Sequence, residues 1–186
     1  MSQLRPHIVI DLEATCWEKG TRPARMETIE IGAVKLVGSP LEVESEFSTF
    51  VRPFDEPELS EFCTGLTGIR QSDVDAAPLF PEALMQLVDW VDAEDVVLCS
   101  WGEYDRGQIE VDCKRHGIDV PAITRDHVNL KRRFAEQQNR KPCGMRHALR
   151  LLGLELEGAH HRGIDDARNI ARIAAWSLER DSGGGA

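Results

Sequence analysis

The chain has 186 residues, 41% of them hydrophobic and 29% charged, with a formal net charge of −10. That size suits one domain with a proper core, and the longest apolar runs, such as Ile8-Val9-Ile10, are too short for a membrane helix. Met1-Ser2-Gln3-Leu4-Arg5 carries no apolar signal core, which points to the cytoplasm. The five cysteines, at 16, 63, 99, 113 and 143, form no C-x-x-C pair. They imply reduced, mostly buried thiols rather than a disulfide framework or a zinc ribbon.

Residues 7–14, His-Ile-Val-Ile-Asp-Leu-Glu-Ala, are apolar on both faces until the acids arrive, which predicts a central buried strand. Residues 28–37 and 43–52 read as two more strands, and short connections make the three an antiparallel meander. Ser60 and Ser72 can each cap a short helix. Residues 80–91 carry Leu84, Leu87, Val88 and Val91 at helical spacing. A fourth strand is expected at 95–100, a helix at 104–116, a short strand near 126–129 and a basic helix at 130–138. Another helix at 145–152 is ended by Gly153. The last, residues 164–178, has Ile170, Ile173, Ala174 and Leu178 on its apolar side. A meander followed by alternating helices and strands implies a mixed-sheet α/β domain over residues 1–180. The Gly-rich end of 181–186 predicts a disordered tail.

An acidic chain is an uncommon partner for nucleic acid, but the average conceals an asymmetry. Lys114, Arg115, Arg125, Lys131, Arg132, Arg133, Arg140, Lys141, Arg146 and Arg150 face only Asp119, Asp126 and Glu136 within the same stretch, an excess of seven positive charges. That stretch reads equally as a phosphate-binding surface and as a solvated helix face.

Three places carry acids where the fold would not need them. Asp11 and Glu13, two apart on a strand, project from one face while Leu12 points into packing. Two like charges at the end of a buried strand require a raised pKa or a cation. Asp105 follows the fourth strand, where a strand end opens into a helix; Asp112 and Glu103 are its nearby rivals. In His161-Arg-Gly-Ile-Asp-Asp166 the two acids open a helix. Neighbours there point about 100° apart, so only one can face a site: Asp166 is assigned to it and Asp165 to a structural role. Each place has an ordinary structural reading alone. Together they make a hard-oxygen set suited to Mg²⁺ or Mn²⁺ rather than Zn²⁺. Two such ions roughly 4 Å apart can activate water and hold a scissile phosphate, and a histidine with a pKa of about 6.5 can take the proton.

These stretches, with Glu27-Thr-Ile-Glu-Ile-Gly-Ala-Val, Leu59-Ser-Glu-Phe-Cys-Thr-Gly-Leu-Thr-Gly-Ile69 and Ser100-Trp-Gly-Glu-Tyr-Asp105, resemble the DEDDh exonucleases of the RNase T/DnaQ-like superfamily. Within it they are similar to the Eri-type branch, which holds the histone-mRNA 3′-end exonuclease and KapD-like bacterial proteins. The resemblance covers residues 6–178 and implies a ribonuclease-H-like fold, a five-stranded mixed sheet flanked by helices. It implies Asp11, Glu13, Asp105 and Asp166 as ligands of two Mg²⁺, with Mn²⁺ able to substitute, and His161 as the general base; Glu13 sits with the catalytic group. His160 is one residue too early and is expected behind the site or at the surface. Leu66 and Thr67 are implied beside the terminal nucleotide, Ala14 and Thr15 at its sugar and base, and Phe62 or Trp17 as a stacking face. The implied activity is 3′→5′ hydrolysis of single-stranded RNA, or of DNA, from its 3′ end, releasing nucleoside 5′-monophosphates. A DNA-trimming enzyme and a non-catalytic RNA-binding module are the other readings of the same fold. The RNA-binding accessory domain of some relatives is not found in these residues, so strong recognition of one stem-loop is not expected. The sequence names no protein partner.

Overall fold

A computed structural model describes residues 5–19, 23–92 and 95–182. Five strands, β1 (His7–Ala14), β2 (Thr28–Val37), β3 (Glu42–Phe50), β4 (Val97–Ser100) and β5 (His127–Asn129), form one mixed sheet in the order β3-β2-β1-β4-β5. β1 lies at the centre because both its faces are apolar. Ile8, Ile10 and Leu12 join the core beneath α3 (Phe80–Val91) and α4 (Tyr104–His116). Val9 joins the opposite core with α5 (Leu130–Gln137), α6 (Met145–Leu151) and α7 (Gly163–Ser182). Two short helices, α1 (Glu61–Thr67) and α2 (Gln71–Asp75), cap a small third cluster of Ile29, Cys63, Ile69 and Val74.

The register of β1 creates the opening that matters. β1 pairs antiparallel with β2 from His7 to Ala14, but parallel with β4 only from His7 to Val9. Beyond Val9 it outruns its neighbour, and α4 enters the space after β4 ends at Ser100. On the other face, α7 lies across β1 and β2 in backbone contact. A Cβ built on Gly32 would stand 2.1 Å from the carbonyl carbon of Gly163, so only glycine permits this approach.

Most expected elements fall within two residues of their predicted ends, and three details differ. β3 stops at Phe50 rather than at 52, because the Arg52 N–H leaves the ladder and donates to Pro78 O at 2.8 Å. Ser60 caps α1, its Oγ accepting from Cys63 N–H at 3.0 Å. Ser72 caps nothing. It lies exposed inside α2, which starts after Arg70, whose N–H is taken by the Asp73 carboxylate at 2.9 Å. α7 runs on to Ser182 rather than ending near 178. Its last turns are tethered: the Ser177 hydroxyl donates to Gln137 Oε1 at 2.6 Å, and Glu179 Oε1 accepts from Leu41 N–H at 2.7 Å. Of the tail expected over 181–186, the first two residues thus close α7 and the rest lies outside the described residues. The five cysteines are free, and among the described residues no helix is long and apolar enough to cross a membrane.

Candidate active site

Asp11 and Glu13 alternate with Leu12, so they share the face of β1 on which Val9 meets α7, while Leu12 enters the other core. α7 brings Asp166 to them. Carboxylate oxygens of Asp11, Glu13 and Asp166 lie within 4.8 Å of one another. The turn before α7 fixes Asp166 from its own main chain. His161 adopts a left-handed φ of 65°, and its N–H donates to Asp166 Oδ2 at 2.9 Å. Such a backbone is uncommon outside glycine and is held only by its surroundings.

Asp105 arrives from the other side, in the first turn of α4. It is buried, and its Oδ1 accepts the Leu12 N–H at 3.0 Å. That donor lies on the stretch of β1 that β4 leaves unpaired. The rivals Asp112 and Glu103 are occupied elsewhere. Asp112 accepts from Thr28 N–H at 3.1 Å, Thr28 Oγ1 at 2.7 Å and Gln108 Nε2 at 3.0 Å, and pairs with Arg115. Glu103 accepts from Asn129 Nδ2 at 2.9 Å and lies 3.5 Å from His127.

Burial is the main electrostatic fact. It pushes Asp11 well above the usual carboxylate range, helped by the charges of Asp105, Glu13 and Asp166. Burial, then Asp166 and Glu30, pushes Glu13 up to about 8. Asp105 is pushed up to about 6 by burial, against the lowering effect of the Leu12 N–H. The Arg162 charge opposes the rise at Glu13, but its guanidinium is committed to Glu30, 3.1 Å away. Crowded, desolvated oxygen donors with little compensating charge are a donor set that hard divalent cations fit.

A cleft of about 370 Å³ opens on the cluster. Asp11, Glu13, Ala14, Leu66, Asp105, His161 and Asp166 line it, seven of the expected site residues. Thr15, Phe62 and Thr67 are not among its lining. Thr15 is buried, its Oγ1 accepting from Glu27 N–H at 3.0 Å. Thr67 is also buried, donating to Cys63 O at 2.9 Å and accepting from Ile69 N–H at 3.1 Å, which closes α1. Phe62 is exposed on α1, and Trp17 stacks beneath Arg25, whose guanidinium carbon lies 4.2 Å from the ring centre.

His160 stands closer than expected. Its Nδ1 lies 2.9 Å from Asp166 Oδ2, its ring stacks on His161 with centroids 4.0 Å apart, and both histidines line the cleft. Burial and His160 together hold His161 below the usual histidine range, so its imidazole is neutral at pH 7. Met26, Trp101 and Tyr104 also line the cleft without having been expected there. Tyr104 precedes Asp105 at the start of α4, and adjacency on a helix does not by itself put two side chains in one site. Trp101 lies in the Ser100–Asp105 stretch that carries the resemblance, which could have found it, whereas Met26 comes from a segment with no local signal.

A five-stranded mixed sheet with acids gathered at the open end of its central strand defines a ribonuclease-H-like nuclease fold. The family model described as exonuclease matches residues 8–174. Human ERI1 exoribonuclease 2 is 36% identical over 196 residues, an alignment that covers 94% of this chain and 28% of that protein. Human 3′-5′ exoribonuclease 1 is 33% identical, over 92% of this chain and 52% of its own length. The structure of the nuclease domain of 3′hExo, a DEDDh family member bound to rAMP, superposes with a TM-score of 0.89 at 31% identity, covering 96% of this chain and 94% of that one. The chain belongs to the exonuclease family, among its DEDDh members. It spans about a quarter to a half of the length of these curated relatives.

Proposed function

We propose that the chain is a 3′→5′ exoribonuclease that removes nucleoside 5′-monophosphates from single-stranded RNA. The observation that carries this reading is the meeting of Asp11, Glu13 and Asp166 within 4.8 Å, with Asp105 and His161 in the same cleft. The relatives named exoribonucleases supply the preference for RNA over DNA.

Asp11, Glu13, Asp105 and Asp166 would hold two divalent ions, Mg²⁺ or Mn²⁺. Such ions, when bound, polarise the scissile phosphate and stabilise the developing charge on the leaving 3′-oxygen. The chain's own part is positioning and proton transfer. The Leu12 N–H orients Asp105, and the His161 N–H orients Asp166. Two histidines are candidates for the base, and their contacts differ. The Nδ1 of His160 is engaged by Asp166, whereas the ring nitrogens of His161 have no hydrogen-bond partner among the described residues. That difference supports His161 as the group that takes the proton of the attacking water. Ala14 and Leu66 line the cleft where the terminal nucleotide would lie. Thr15 would act from behind through its place beside Ala14, and Thr67 by closing the helix that carries Leu66 and Phe62.

The test is a 5′-labelled single-stranded RNA incubated with Mg²⁺, beside DNA of the same sequence. A ladder of products shortened one nucleotide at a time from the 3′ end is expected, faster on RNA. Intact substrate at high enzyme concentration with retained binding would instead identify a non-catalytic RNA-binding module, and faster loss of the DNA would identify a DNA-trimming enzyme.

A further inference from the structure

A second hollow, of about 650 Å³, lies against the candidate active site. Gly144, Met145 and His160 line both spaces, so the two adjoin along a ridge made by these residues. The ridge is held in place by Trp101, whose Nε1–H donates to Cys143 O at 3.1 Å while its ring packs 6.0 Å from that of Phe134. Met145 is buried beneath it.

The far wall is the outer face of α6. Arg146, His147 and Arg150 point into the hollow, and the segment Leu154–Leu156 closes the opposite side. Arg146 and Arg150 are one helical turn apart, which sets their Cβ atoms about 5–6 Å from each other along one face. Both are exposed, and neither guanidinium has a hydrogen bond or ion pair among the described residues. That contrasts with Arg162, Arg168 and Arg172, the nearby arginines of α7 and its approach, each of which is ion-paired with a glutamate. In a chain of net charge −10, two unpartnered arginines one turn apart on the wall of a hollow that opens into an acidic cleft are an arrangement the fold itself does not use.

We propose that this basic wall of α6 holds the phosphates of the nucleotides immediately upstream of the 3′ end, so that the strand runs from the acidic cleft across the Gly144–Met145 ridge and along Arg146 and Arg150. The inference rests on the exonuclease reading. It divides the basic stretch of 114–150, giving the substrate-holding role to its last two arginines rather than to Lys131 and Arg132. The latter sit on α5 outside the cleft lining, and Arg132 is within 3.9 Å of Glu136. The hollow's opposite side carries the exposed acid Glu155 between Leu154 and Leu156, whose apolar faces suit sugars and bases without hydrogen-bond readout, so phosphates are held at the α6 wall and the contact should be indifferent to sequence.

The experiment compares the wild-type chain with Arg146→Glu/Arg150→Glu and with Lys131→Glu/Arg132→Glu, all checked for an unchanged melting temperature. The first readout is kcat/KM on a twelve-nucleotide RNA divided by kcat/KM on a dinucleotide. That ratio should fall about tenfold or more in the α6 variant and stay near the wild-type value in the α5 variant. The second readout is the affinity of the same RNA with Ca²⁺ in place of Mg²⁺, across a salt series. Removing two contacts should flatten the log–log slope by about 1.4, since each phosphate contact to a single strand contributes about 0.7. Arg146→Lys/Arg150→Lys should restore most of both. An unchanged ratio and slope in the α6 variant overturn the inference, as does an equal loss in the α5 variant. If the wild type hydrolyses neither substrate the exonuclease reading fails, and the binding series still decides whether α6 carries the strand.

Discussion

Glu13 shows at the scale of one residue what the site costs the fold. It is 9% exposed, and burial among acids pushes its carboxyl from the usual 4.5 up to about 8. In metal-free protein the folded state therefore keeps a proton that the unfolded chain releases, across the window from about pH 4.5 to about pH 8. Protons bound preferentially to the folded state make stability fall as pH rises through that window. Asp105, raised to about 6, adds to the lower part of the slope. Two outcomes are expected from thermal melts without metal. The melting temperature should decline from pH 5 to pH 8, and Glu13→Gln should melt higher than the wild type at pH 8 while losing hydrolysis. A flat profile, or a destabilised variant, would mean that the carboxylates are not crowded as described. His161 offers a separate test. Its main-chain N–H, not its ring, holds Asp166, and asparagine tolerates the left-handed backbone it occupies. His161→Asn should lower kcat by about 10²–10⁴ while the melting-temperature rise on adding Mg²⁺ persists. A variant turning over at the wild-type rate would transfer the proton to another group, with His160 the first candidate.

Elements were the most legible level of the sequence, because their signals are local. The helix expected at 104–116 is α4 residue for residue, since Gly117 ends it with a φ of 64°. The misreadings arose where a distant group supplied the deciding hydrogen bond: Pro78 drew Arg52 out of β3, and Gln137 and Leu41 prolonged α7. Ser72 failed as a cap because α2 begins ahead of it, after Arg70, whose N–H is taken by the Asp73 carboxylate. The site divides in the same way. Asp11 and Glu13 follow from strand alternation, and the His161-to-Asp166 step lies within one turn and helix start. Choosing Asp105 over Asp112 and Glu103 needs the Thr28 and Asn129 contacts, which join residues far apart in the chain. Two element-scale outcomes can be measured by urea unfolding. Ser60→Ala should cost about 1 kcal/mol through loss of the α1 cap. Gly32→Ala should cost more than the roughly 1–3 kcal/mol of ordinary overpacking, because the added methyl meets main chain and not a movable side chain.

At the scale of the whole molecule, stability and metal occupancy are linked. A cation that binds only the folded cluster stabilises by mass action, so Mg²⁺ or Mn²⁺ at a hundred times its dissociation constant should contribute about 2.7 kcal/mol. For a chain of this length that is a rise of about 5–10 °C in melting temperature. The rise should grow with pH, because protons compete for the same oxygens. Its absence at millimolar metal would remove the cluster from consideration as a metal centre. The net charge of −10 gives the molecule a field that repels RNA at long range. Association should accordingly quicken with moderate salt before the loss of phosphate contacts slows it, a maximum that stopped-flow binding would reveal.

The contact between Gly32 and Gly163 has a further meaning for how such a site can change. Asp11 and Glu13 belong to the sheet and Asp166 to a helix laid over it, so the spacing of the backbones that carry the two halves of the acid cluster is set by this contact. No rotamer sets it. The side chains that line the cleft around the acids could be exchanged, and the specificity for a base, a sugar or a strand end redrawn, without altering that gauge. That gauge is then held by a glycine that is not among the residues lining the cleft.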